Sequence, residues 1–192
     1  MPTQWSRDGR FIVYMTASKS GLRDIWVLPM EGEAERKPSP KAATLFLHSE
    51  FSAFHGQLSP DSHWMAYTSD ESGQPEVYVR PFPGGECQLK ISITEGEQPR
   101  RRGDGKELFF MGAEGKMMAV AVRAVAGTKP SFEPAAPQPL FEAQLAGPGS
   151  KALFEYDVTA DGKRFLLNTV AGGSASAPLL NVVLNWDAGL KK

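Results

Sequence analysis

Arg100, Arg101 and Arg102 stand consecutively and form the one basic cluster of the chain. Guanidinium groups pair well with phosphates and carboxylates, so the run is a candidate binding site for an anionic ligand. A charge run on a turn is also an ordinary solvated surface. Asp8, Asp61, Asp104 and Asp161 recur 53, 43 and 57 residues apart. Carboxylates can move protons or hold calcium. Chemistry needs one site, however, whereas architecture needs one corner per repeat. These aspartates therefore read as structural turns, together with Gly9, Gly105 and Gly162. His48, His55 and His63 match no common zinc spacing, and Cys87 is the single cysteine. The histidines read as surface or hydrogen-bonded groups, and neither a metal site nor a cofactor is assigned. Asp24, Asp70, Glu71 and Glu76 read as loop or strand-edge charges. No Gly-x-Ser-x-Gly elbow is present, and Gly172-Gly173-Ser174 lacks its second flanking glycine. No catalytic residue is assigned, and the chain is not expected to be an enzyme.

Composition narrows the classes further. The chain has 192 residues, with 21 Lys plus Arg against 22 Asp plus Glu, a net charge of −1. No global field draws in nucleic acid. An apolar share of 41% permits a buried core, while 19 glycines and 15 prolines disfavour long helices. One cysteine excludes an internal disulfide. No apolar run is long enough to span a bilayer, so no direct membrane insertion is expected. The start Met1-Pro2-Thr3-Gln4-Trp5 lacks the pattern of a signal peptide. The chain taken alone is expected to stay in the cytoplasm.

The elements that position these residues repeat. Each recurring aspartate opens a tight turn followed by a basic residue or histidine: Arg10, His63, Lys106 and Lys163. An apolar triplet follows each time: Ile12-Val13-Tyr14, Met65-Ala66-Tyr67, Leu108-Phe109-Phe110 and Phe165-Leu166-Leu167. A continuous apolar triplet predicts a strand buried on both faces. A second turn, at Ser20-Gly21, Ser72-Gly73, Glu114-Gly115 and Gly172-Gly173, leads to strands at 24–28, 76–79, 117–122 and 180–184. Further strands are expected at 43–47, 88–93 and around Leu140-Phe141. The period and strand content are those of an all-β propeller with about four blades of three to four antiparallel strands. The repeat units run over 1–47, 48–96, 97–145 and 146–192, in one segment. Stretches 31–41, 124–139 and 146–151 read as exposed loops. Trp5, Trp26, Trp64 and Trp186 fall in or beside strand columns and are expected mostly in the core.

Leu58 to Gly85, "LSPDSHWMAYTSDESGQPEVYVRPFPGG", resembles the WD40-like repeat of TolB-type β-propellers. Glu76-Val77-Tyr78-Val79-Arg80-Pro81-Phe82-Pro83, Gly105 to Phe110, Tyr156-Asp157-Val158 and the ending Val182 to Trp186 resemble a subgroup. That subgroup is the propellers on the C-terminal side of bacterial eukaryotic-like serine/threonine kinases. The resemblance covers nearly the whole chain. It implies an extracytoplasmic or periplasmic sensor or scaffold, joined through a membrane helix to a kinase. The kinase motifs themselves are absent, so this polypeptide does not phosphorylate. Two departures stand out. Ser62 replaces the usual turn glycine, implying a different turn geometry, and Arg101 occupies a column filled elsewhere by Trp5, Leu58 and Val158. Arg102-Gly103-Asp104 spells an adhesion tripeptide, but its Asp serves the turn.

Four repeats fall short of the six blades that the resemblance implies, leaving two uncovered apolar faces. The missing blades would come from an upstream segment, the preferred reading, or from a second chain; a closed four-bladed ring is the third solution. The expected function is a non-catalytic module binding a protein or small molecule, with no nucleic-acid partner. The Arg100–Arg102 turn and a loop from Glu50 to Gln57 are the first places to look. The alternatives are an accessory propeller of a prolyl oligopeptidase-type peptidase and a truncated gene product without independent function.

Overall fold

The computed structural model describes residues 1–31, 37–38, 43–85, 87–125, 131–143, 145, 153–169 and 180–184. Among them, the strands form four sheets. Sheet 1 contains β1 (Pro2–Trp5), β2 (Phe11–Ala17), β3 (Arg23–Glu31), β4 (Lys37–Pro38) and β5 (Thr44–Leu47). Sheet 2 contains β6 (Ala53–Leu58), β7 (Trp64–Ser69), β8 (Glu76–Pro81) and β9 (Leu89–Lys90). Sheet 3 contains β10 (Gly96–Arg101), β11 (Glu107–Gly112), β12 (Lys116–Val125), β13 (Ser131–Pro134) and β14 (Gln138–Glu142). Sheet 4 contains β15 (Tyr156–Val158), β16 (Arg164–Asn168) and β17 (Leu180–Leu184). Each sheet is an antiparallel meander, with a second outer strand on β3 and on β12. The chain divides into two compact units, Met1–Pro99 and Arg100–Lys192.

One corner is built four times. The amides of Gly9, Ser62, Gly105 and Gly162 donate to the carbonyls of Ser6, Ser59, Arg102 and Thr159 at 2.8–2.9 Å. The aspartate then accepts from the amide two residues on: Arg10, His63, Lys106 and Lys163 donate at 3.0–3.2 Å. The residue after each aspartate is left-handed, with φ of 72° at Gly9, 76° at Gly105 and 75° at Gly162. Ser62 has φ 57° and makes the same turn, so the different geometry expected there is not found. Its small side chain tolerates the conformation, and its hydroxyl donates to Asp8 Oδ2 at 3.2 Å. At Gly162 a Cβ would stand 2.8 Å from Arg102 Cδ, on top of the unfavourable φ. Gly162→Ala is expected to cost about 1–3 kcal/mol, read as a lower melting temperature.

The packing rule follows from strand alternation. Counting from the turn aspartate, the fifth residue points to one face and the fourth and sixth to the other. In the first unit, Val13 of sheet 1 packs with Ile25 and Val27 into a core completed by Met65, Tyr67 and Tyr78 of sheet 2. In the second unit, Phe109 of sheet 3 packs with Met117 into a core completed by Phe165, Leu167 and Tyr156 of sheet 4. A fifth-position face thus receives the fourth- and sixth-position face of the sheet that follows. Gly56 marks the close approach of β6 to sheet 1, since a Cβ there would lie 3.0 Å from Val13 Cγ1.

Several expectations are corrected. The presumed loop 50–57 becomes a strand at Ala53, and every residue of β6 is buried. Its letters lack a strand period because His55, at φ 57°, inserts a bulge into the β6–β7 ladder. The stretch 124–139 is not a long loop: it holds the end of β12, all of β13 and the start of β14. Pro134 and Pro139 are tolerated on the outer strands β13 and β14, where one edge needs no donor. β4 likewise lies within 31–41. The strand expected over 88–93 is only Leu89–Lys90, because the Ser92 hydroxyl takes the Val77 amide at 2.8 Å in place of a ladder carbonyl. The first and fourth triplets are not buried on both faces: Ile12 and Tyr14 are half-buried on either side of buried Val13, and Leu166 is 41% exposed between buried Phe165 and Leu167. Trp5 is exposed rather than core, although its Nε1 donates to the Gly9 carbonyl at 3.2 Å. The stretch 146–151, the Gly172-Gly173 turn and Trp186 lie outside the described residues.

Candidate functional site

Arg100 and Arg101 end β10 and Arg102 follows it, and each has its own partners. The Arg100 side chain is largely buried. Its guanidinium lies 3.6 Å from the centre of the Phe154 ring, and its Nε is 3.3 Å from Asp157 Oδ1. Burial pushes the guanidinium below the usual arginine range, and Asp157 works against that shift. Arg101 lies over Phe132 at 5.4 Å, an aromatic contact that accounts for a cation in an otherwise apolar column. Arg102 grips Asp104 through Nε and Nη2, both at 2.7 Å, and Glu107 through Nη1 at 2.6 Å. The structure therefore does not gather the run into one basic patch.

Arg102 has a structural explanation. In the other three turns its place is held by Ser6, Ser59 and Thr159, whose hydroxyls donate to the turn aspartate and accept an amide three residues beyond it. Arg102 replaces that hydroxyl with a bidentate ion pair. The column of Ser6, Ser59 and Thr159 was visible in the sequence and carried the signal.

The ion pair leaves a pH signature. The Arg102 hydrogen bonds, aided by the Lys106 amide, hold the Asp104 carboxyl at about 2, below the usual carboxylate range. A depressed carboxylate pKa stabilises the fold above the unfolded value, and that contribution is lost as pH falls from about 4 towards 2. Asp104→Asn is expected to flatten this acid limb in a series of thermal melts. The effect is small, because the carboxylate is half-exposed and screened.

Arg100 is the member of the run whose ion-pair partner lines a hollow. Its partner Asp157, with Val158, Thr159, Arg164, Phe165 and Leu166, lines a hollow of about 290 Å³ on sheet 4. Arg164 brings a guanidinium to it, beside the exposed side chain of Leu166. A guanidinium beside an apolar side chain can hold a small anion with a hydrophobic body. This hollow is not legible in consecutive letters, because the β15–β16 pairing brings its residues together.

The remaining candidates are placed as follows. His48 Nδ1 lies 2.8 Å from Asp24 Oδ1, and His63 Nδ1 lies 3.4 Å from Asp61 Oδ2. His55 is buried against Phe54. Among the described residues, no three His, Cys, Asp or Glu side chains come together in a way that could hold a metal ion. Cys87 is a free, exposed thiol. Two of the presumed surface acids are buried instead. Asp24 is paired with His48, and Glu76 is fully buried among Gln74, Lys90 and Ser92. No described helix is long and apolar enough to cross a membrane.

No family model matches the sequence, and no curated protein matches it. Solved structures do. TolB from Acinetobacter baumannii superposes with a TM-score of 0.65 at 15% identity, covering 96% of this chain and 40% of that one. The fold is a β-propeller segment. A puromycin-hydrolysing peptidase from Mycobacterium tuberculosis matches at TM-score 0.56 and 18% identity, over 85% of this chain and 27% of that one. The periplasmic gluconolactonase of Pseudomonas aeruginosa matches at 0.52 and 16% identity, over 93% of this chain and 54% of that one. This propeller segment therefore spans between about a quarter and about half of the chains it superposes on. Identities this low carry the fold and not the activity.

Proposed function

We propose that the chain is a non-catalytic β-propeller segment that binds a small anionic ligand or an acidic protein side chain in the hollow lined by Arg164 and Leu166. The observation that carries this reading is the hollow itself, where the Arg164 guanidinium stands beside exposed Leu166 and the charge of Asp157 is offset by Arg100. The four turn aspartates support it from the other side, since each is engaged in capping its own corner. The resemblance to propellers borne by bacterial serine/threonine kinases adds the setting: a sensor or scaffold module outside the cytoplasm, within a longer protein. Fluorimetric melting with inorganic phosphate, citrate and short acidic peptides tests the site. At least one anion is expected to raise the melting temperature of the wild type and to lose that effect in Arg100→Gln and Arg164→Gln. An anion that stabilises both variants as it does the wild type would refute the site. Turnover of esters, lactones or peptides by the purified chain would refute the non-catalytic reading.

A second reading is an accessory propeller beside a peptidase domain. It is favoured by the match to part of the mycobacterial peptidase. Stable co-purification with an α/β-hydrolase domain encoded nearby would support it over the first.

A further inference from the structure

We propose that the end of the first unit opposite its aspartate corners is a docking surface for an extended protein segment that carries lysine or arginine beside large apolar side chains. The described stretches leading into the first strands of sheets 2, 3 and 4 each show one large apolar residue to water. Phe51, two residues before β6, is 43% exposed, and Ile93, three residues before β10, is 71% exposed. In the second unit Leu153, three residues before β15, is 54% exposed. One exposed apolar side chain is ordinary, but the same exposure in three corresponding loops is a pattern. Phe51 and Ile93 lie in loops between sheets, in the interior of the sequence, so their exposure does not come from an uncovered outermost sheet face.

The first unit braces both loops against the β7–β8 turn. The Phe51 amide donates to Ser49 Oγ at 3.1 Å, and that hydroxyl donates to the Phe51 carbonyl at 3.0 Å. The Ser52 amide then donates to Asp70 Oδ1 at 2.8 Å. On the other side of the turn, Gln74 Nε2 donates to the Thr94 carbonyl and the Gly96 amide to the Pro75 carbonyl at 3.0 Å. The loops are thus fixed while Phe51 and Ile93 stay in water, and such preorganisation lowers the ordering cost of binding. Register sets Ala53 beside Ser69 and Ser69 beside Glu76, and the Ile91 amide reaches the Val77 carbonyl at 2.8 Å. The two loops therefore stand three strand spacings apart, roughly 14 Å, which about four residues of extended chain can span. Charge identifies the occupant. Glu50 and Glu95 are exposed beside the two apolar side chains and join no ion pair among the described residues. Asp70 and Glu71 lie on the turn between them, while the cations at this end of the unit are Lys19 and Arg23, the latter over the Phe54 ring at 5.9 Å. Carboxylates around two apolar anchors complement a cationic apolar segment and repel an acidic one. The surface lies in the first unit and does not depend on the hollow of the second.

Fluorescence anisotropy of the whole chain with three short labelled peptides tests this: one of lysines and leucines, one of glutamates and leucines, one of lysines and serines. The wild type is expected to bind the lysine–leucine peptide at least about tenfold more tightly than either of the others. Phe51→Ser and Ile93→Ser are each expected to weaken that binding about tenfold, as loss of an interface anchor does. Glu50→Gln combined with Glu95→Gln is expected to weaken it and to lessen its dependence on salt. Leu166→Ser removes an equally exposed apolar group of the second unit and is expected to bind as the wild type does. Equal binding of the lysine–leucine and lysine–serine peptides would overturn the proposal, as would equal binding of the glutamate–leucine peptide. So would Ile93→Ser binding like the wild type, or Leu166→Ser losing as much. Sedimentation velocity supplies a further outcome: self-association of the wild type that Ile93→Ser abolishes would mean that the surface pairs copies of this chain, and would overturn it too. Thermal melts check each variant, and Ile93→Ser, the most exposed change, decides alone if Phe51→Ser lowers the melting temperature.

Discussion

Phe165→Ala is expected to unfold the second unit or to leave it marginal. Phe165 is fully buried in the core shared by sheets 3 and 4. Its ring meets Phe109 edge-on at 5.1 Å and Phe141 at 5.3 Å, and lies 6.5 Å from Tyr156. Truncating a buried phenylalanine costs about 3–5 kcal/mol through lost transfer energy and the cavity left behind. Aromatic edge contacts add about 0.5–1.5 kcal/mol each. Against a total stability of roughly 5–15 kcal/mol, that is a large fraction. Leu166→Ala, one residue along and facing outwards, is expected to change stability by less than about 0.5 kcal/mol in dilute protein. Urea unfolding of the two variants side by side checks the alternation. Equal losses would contradict the assignment of Phe165 and Leu166 to opposite faces.

Lys90→Met is expected to destabilise the first unit by about 2–3 kcal/mol, somewhat less than the roughly 3–5 kcal/mol that breaking a fully buried ion pair costs. Glu76 opens β8 with its side chain fully buried. One carboxylate oxygen lies 2.6 Å from Lys90 Nζ and accepts from Gln74 Nε2 at 3.3 Å. The other accepts from the Ser92 hydroxyl, which itself accepts from the Val77 amide. Removing the lysine leaves an anion in the interior without its cation. The estimate stays low because the Lys90 side chain is 41% exposed and water can take part of its place. The double variant Glu76→Gln, Lys90→Met no longer buries a charge and is expected to recover most of the loss, giving a clear coupling energy in a double-mutant cycle. A Lys90→Met variant as stable as the wild type would show that Glu76 does not need its partner.

The parts of the fold that were legible in the sequence are those that local chemistry decides. Asp-Gly followed by an apolar triplet specifies the corner and the strand after it, and β2, β7, β11 and β16 lie there. The ends of β17 coincide with the expected 180–184. What local letters could not show depends on neighbours across space. β6 reads Ala-Phe-His-Gly-Gln-Leu, without periodicity, and becomes a strand because sheet 1 and β7 bury it on both sides. Ser62 adopts the glycine conformation because the corner around it demands that conformation. Glu76 looked like a strand-edge charge because Lys90 and Ser92, fourteen and sixteen residues on, are brought to it by β9 and the bend after it. The candidate site shows the same division. The arginine run was conspicuous as letters, yet Arg102 serves its turn, and the hollow takes Arg164 from another strand.

Cross-strand nuclear Overhauser contacts in the labelled chain test the repeated-sheet architecture most directly. The registers place Val13 opposite Val27, Ala66 opposite Val79, Phe109 opposite Ala119 and Phe165 opposite Val183. Backbone contacts between the members of all four pairs are the predicted result. Absence of any of the four from a folded chain, or sequential amide contacts typical of helix in β2, β7, β11 or β16, would contradict the architecture on which every other statement rests.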